Sequence, residues 1–169
     1  MVLQTFYQTV AQLSFTLLGL WWLVLQTKYQ EWIGSPVRRR MVTSISLYFL
    51  VPGGMSLFAL VSVPNHTIWQ AAFAVAGCIG MIVAVVFVLD AARMTNTSAS
   101  IWPTLLAQVA RVVTFVLYGG IVVVALIPDI ASSFGVVPLM VEGTLVSVLV
   151  VLGLALAWAY FVEPARPAK

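Results

Sequence analysis

Five predominantly apolar stretches, Phe6 to Gln26, Met41 to Val63, Ile68 to Leu89, Pro103 to Ile127 and Pro138 to Val162, occupy most of this 169-residue chain. A spanning helix needs about 20 such residues at 1.5 Å rise to cross the hydrocarbon core of a bilayer, and each stretch meets that length. Hydrophobic residues make up 62% of the chain and charged residues 8%. Eight Lys and Arg with five Asp and Glu cannot clothe the surface of a soluble domain of this size. A mean hydropathy of +1.08 also excludes disorder, and the single cysteine excludes a disulfide framework. The solvent is lipid, and the expected fold is an all-α polytopic membrane bundle of about five transmembrane helices. The connections are short, so residues 1–169 read as one transmembrane domain.

The formal charge of +3 does not form a nucleic-acid patch, because the basic residues lie between apolar stretches. They report orientation instead. Lys28, Arg38, Arg39 and Arg40 lie between spans one and two, Arg93 between three and four, and Arg166 and Lys169 after span five. Pro64 to Thr67 and Pro128 to Val137 contain no Lys or Arg. Alternate connections are therefore positive, and the positive-inside rule places the amino terminus outside and the carboxyl terminus in the cytoplasm. The expected location is a bacterial-type inner membrane. Met1 to Thr5 carries no positive side chain, so span one is expected to be retained rather than cleaved. Trp and Tyr residues gather near the span ends as an aromatic belt, and Pro64, Pro103, Pro128 and Pro138 punctuate helix ends.

Chemistry is sparse. His66 is the only histidine and Cys78 the only cysteine, so one chain cannot build a bis-histidine haem, a Cys/His zinc site or a Ser/His/Asp triad. Lys28 and Lys169 lie outside the apolar stretches, which excludes a mid-membrane Schiff base to retinal. Glu31, Asp90, Asp129, Glu142 and Glu163 are scattered over both membrane faces by the expected topology, leaving no paired carboxylates. Pro52-Gly53-Gly54 and Gly119-Gly120 lack the residues of a phosphate loop. The expectation is a non-enzymatic protein without cofactor or metal.

Polar residues inside the spans carry what functional signal there is, because such groups are costly in lipid. Arg111 lies eight residues after Pro103, about 12 Å into span four. Two readings are open: a guanidinium that snorkels to the cytoplasmic face or pairs with Asp90, and one that attracts an anion or lines a conduit. Thr104, Gln108 and Arg111 share one face of that span, with Tyr118 two turns on. Gln4, Gln8, Gln12 and Thr16 recur every four residues on span one, and Ser44, Tyr48, Pro52 and Ser56 on span two. These rows line a cavity or serve as interhelical hydrogen-bonding glue. On span three Ala72, Ala76, Gly80 and Ala84, with Gly77 beside them, form a small-residue groove for close helix packing, within the chain or against another copy. Glu142, about 6 Å along span five, is favoured there by the helix dipole and within reach of the outer headgroups, with ion binding the alternative.

Two functions follow as expectations. In one, the polar faces of spans one, two and four meet around a hydrated cavity that binds or passes a small solute or ion. In the other, the chain is an accessory or scaffolding subunit of a larger membrane complex. Its partners are the lipid bilayer and either further copies of itself or that complex, with no nucleic acid.

Overall fold

The computed structural model describes residues 2–29, 34, 36–61, 66–94 and 101–162, with the backbone alone at 37–38, 66, 86–94, 101–108 and 111. Among these residues there is no strand. The helices are α1 (Val2–Thr27), α2 (Pro36–Val61), α3 (His66–Met94), α4 (Ile101–Leu126), α5 (Pro128–Ser133) and α6 (Pro138–Val162). Four apolar segments, Val2–Thr27, Arg39–Val61, Thr67–Val85 and Pro138–Phe161, are long enough to cross a membrane. The apolar segment Val112–Leu126 lies inside the 26-residue α4. The protein is an all-α membrane bundle.

By internal packing the chain divides into two compact units, one of residues 1–57 with 146–169 and one of residues 58–145. In the first, Trp21 and Leu25 of α1, Val42, Ile45 and Phe49 of α2, and Val150 and Tyr160 of α6 form one buried cluster. The Trp21 and Tyr160 rings meet edge to face at 5.6 Å between centroids, and Trp21 Nε1 donates to Ser46 Oγ at 3.2 Å. Gly153 lets α6 approach α2 closely, since a Cβ there would lie 2.6 Å from Tyr48 Cβ. In the second unit α4 packs between α3 and α6. A Cβ on Gly119 would meet Met81 Sδ of α3 at 3.7 Å, and one on Gly120 would meet Leu145 Cδ1 of α6 at 3.4 Å.

Each of four helices carries a buried row that steps alternately by four and three: Tyr7, Ala11 and Ser14 on α1; Val42, Ile45, Phe49, Pro52, Ser56 and Ala59 on α2; Phe73, Gly77, Gly80 and Ala84 on α3; and Glu142, Val146, Leu149 and Gly153 on α6. A mean step of 3.5 residues keeps each seam on one face of its helix and is the period of left-handed packing at shallow crossing angles. Pro52 lies on such a seam inside an α2 that continues through it.

The last turns of α1 and α6 are joined by a cation. The Lys28 ammonium donates to the Phe161 carbonyl at 3.2 Å and sits 5.2 Å from the Phe161 ring centroid. The carboxyl ends of α1 and α6 therefore lie at the same membrane face, with the cation against the last carbonyls of α6 as its dipole favours. Between α4 and α6 the connection reads in sequence as a loop, but it forms the short α5. It ends at Gly135 (φ 70°), where the Gly135 N–H bonds the Ser132 carbonyl and the Val136 N–H bonds the Ala131 carbonyl. Glycine is needed there because this cap requires the left-handed conformation.

The orientation expected from the charges has a direct test in a Cys78→Ala background. Thiols introduced at Asn65 and Ser132 should react with an impermeant reagent added outside, and one at Ser35 should stay protected until the membrane is opened. The opposite pattern reverses the orientation.

Candidate buried carboxylate in the α6 seam

Pro138 starts α6 at a position where its missing N–H costs no hydrogen bond, and Glu142 follows one turn later. The seam runs Glu142, Val146, Leu149, Gly153, so the carboxylate occupies a position that elsewhere on this helix holds apolar side chains or glycine. Glu142 is 0% exposed, and neither carboxylate oxygen has a hydrogen-bond partner among the described residues. The sequence reading in which it reaches the outer headgroups is thus corrected. Interior packing holds the side chain although the helix end is only about 6 Å away. Beside it Gly143 is buried, and in the same unit a Cβ on Gly120 of α4 would make ordinary contact with Leu145.

Other buried polar groups behave differently. Ser56 Oγ donates to the Pro52 carbonyl at 2.8 Å and Thr114 Oγ1 to the Ala110 carbonyl at 2.6 Å, each within its own helix. Their donors are satisfied locally rather than offered to a neighbour or a cavity. Ser14, also 0% exposed, has a hydroxyl without a hydrogen-bond partner among the described residues. Ser14 and Ser56 belong to the first compact unit, and Thr114 and Glu142 to the second. Nothing in the sequence distinguishes Ser14 within the apolar run of α1; only the burial of Tyr7 and Ala11 places it on a four-three seam.

The remaining expected site residues divide. Tyr48, Pro52 and Ser56 are buried on α2, with Ser44 at its margin. Gln8 and Gln12 are exposed, as are Gln4 and Thr16, so this row does not line an interior within the chain. A four-residue step advances about 400° around a helix, so the row drifts about 40° per step away from the buried seam. The small-residue row of α3 drifts in the same way. Ala72 and Ala76 are half-exposed, Gly80 and Ala84 are buried, and the close contact passes through Gly77 and Gly80. A Cβ on Gly77 would meet Val122 Cγ2 at 2.6 Å and the Tyr118 carbonyl at 3.2 Å, and one on Gly80 would run into the Tyr118 ring. The groove therefore receives α4 of the same chain. The side chains of Gln108, Arg111 and Asp90 lie outside the described residues, and with them the expected Arg111–Asp90 pair. No group of three His, Cys, Asp or Glu side chains converges among the described residues.

A carboxyl group in such a place has a narrow chemistry. Burying a polar group without a partner is costly, and burying an isolated charge far more so. The site is tolerable in lipid when a positive species neutralises the group, and the species can be as small as a proton. The models of known protein families, curated proteins and solved structures hold no match for this chain, so its functional reading rests on these residues alone.

Proposed function

We propose that this is a non-enzymatic membrane protein that binds or passes a small cation, the proton included, with Glu142 as the group that receives it. The observation that carries this reading is a carboxylate buried in a spanning helix with both oxygens unpartnered among the described residues. Intramembrane ionisable residues that face a bundle interior mark ion and proton pathways, and an apolar residue would pack the same seam without the desolvation cost. The cluster of aromatic and aliphatic side chains in the other unit supplies scaffold and no second charge.

Purified protein in vesicles, carrying a pH-reporting dye inside and given a potential, tests this reading. The wild type should dissipate a proton gradient, or one of a small monovalent cation, and Glu142→Gln, which keeps the shape and removes the charge, should slow that flux at least about tenfold, as the loss of a single ion-binding group implies. A wild type silent for both, or a Glu142→Gln protein as active as the wild type, overturns the reading in favour of an accessory subunit.

A further inference from the structure

One flank of α1, about 100° round the helix from its buried seam, is unusual for a surface against lipid. Gln8, Gln12, Phe15, Gly19, Trp22 and Gln26 follow one another in steps of four and three, and all six are exposed, although one edge of the Phe15 ring rests against Gly53 of α2. The spacing is the same as that of the buried seams, so these residues form a straight stripe along the helix rather than a drifting row. Gln12 lies ten residues after the start of this 26-residue helix, about 15 Å along it and close to its midpoint. Gln8, Gln12 and Gln26 make no hydrogen bond among the described residues. A primary amide turned to hydrocarbon leaves two N–H donors and a carbonyl unsatisfied, at a cost that a leucine in its place would not incur.

We propose that this stripe is the contact of a homodimer, occupied by α1 of a second copy. Two copies of one chain insert in the same orientation, so a parallel pair of α1 helices brings Gln8 opposite Gln8 and Gln12 opposite Gln12 at equal depth. The amide is its own complement: the N–H of one glutamine donates to the carbonyl of the other, and the reciprocal bond forms with it. A partner of different sequence would need amides at the same two depths; a second copy supplies them by construction. Gly19 completes the fit. A Cβ there would meet nothing within 4 Å in the protomer, and its absence opens a notch one heptad below Gln12 into which the facing backbone can settle. Polar residues at such seam positions set register and copy number in helix pairs.

Disulfide trapping in vesicles tests the contact, using a Cys78→Ala background with one new cysteine at a time. Gln12→Cys and Gly19→Cys should cross-link to a second copy under mild oxidation, whereas Leu13→Cys and Leu20→Cys, equally exposed on another face of α1, should not. Energy transfer between differently labelled copies, followed as the lipid is diluted, gives the affinity. Replacing Gln8 and Gln12 together by Leu should weaken association about tenfold or more, the loss expected for two interhelical amide bonds. The melting temperature of the protomer should hold, since neither glutamine contributes to its interior. Cross-linking without preference for positions 12 and 19, association unchanged by the double substitution, or capture of a different protein at position 12 in native membranes would each overturn the proposal.

Discussion

Gly80→Leu is expected to abolish the folded protein, while Gly54→Ala leaves it as stable as the wild type or slightly more so. Gly80 is buried against the ring of Tyr118, itself only 4% exposed, and even a methyl group there would collide with the ring. The buried ring fills the α3–α4 contact, so a leucine there forces either the ring or the helices apart. Overpacking of a closed interior costs about 1–3 kcal/mol for modest insertions, and a leucine against a trapped tyrosine exceeds that range. Gly54, by contrast, has nothing within 4 Å of the added Cβ, and alanine favours a helix over glycine by about 1 kcal/mol. Thermal melting and particle size in detergent read both outcomes. A Gly80→Ala, Tyr118→Ala pair supplies the check on cause: the losses should be clearly less than additive, because removing the ring removes the clash. Additive losses, or a Gly80→Leu protein that melts like the wild type, would mean that α3 and α4 do not meet here.

The second large effect has the opposite sign. Glu142→Leu should raise thermal stability, whereas removal of a well-packed seam residue normally lowers it. The substitution exchanges an unpartnered carboxylate for an apolar side chain of similar volume at a position flanked by Val146 and Leu149, both 0% exposed. Replacing buried charged groups by packed apolar ones has stabilised other proteins by about 1–4 kcal/mol, and among the described residues no partner is left stranded by the change. Val146→Ala, one turn along the same seam, should cost about 1–3 kcal/mol, because it opens a cavity where α6 is fully packed. Stability gained at a position where ion passage is lost is the expected trade of a functional residue held at a structural cost. A Glu142→Leu protein that melts lower than the wild type would show that the carboxylate holds the bundle together, and the reading of it as an ion site would fall with that result.

The membrane environment, the helical class and four of the five expected spans were legible in the residues themselves, because a stretch of some twenty apolar side chains has no other way to satisfy its backbone in lipid. Proline and charge placement then divided the chain at nearly the positions where the helices end, although α5 and its Gly135 cap, being too short and polar to register as a span, were not visible. Which face of each span turns inward was a different matter. Reading polar and small residues at a strict four-residue spacing put Gln8 and Gln12 in the interior and Ala72 and Ala76 at a contact. The structure instead turns Gln8 and Gln12 outward, leaves the alanines half-exposed, and buries Ser14, Gly77 and Glu142. In water the apolar stripe of a helix announces its inner face; in a bilayer both faces are apolar, so hydropathy cannot distinguish lipid from neighbour. The distinction came from packing, through the glycines that admit Tyr48, Tyr118 and Val122 and the 3.5-residue period that those contacts impose on every helix they join. Sequence alone determined the solvent and the helical class, and the helix contacts decided that a glutamate one turn into α6 would be closed off from its surroundings.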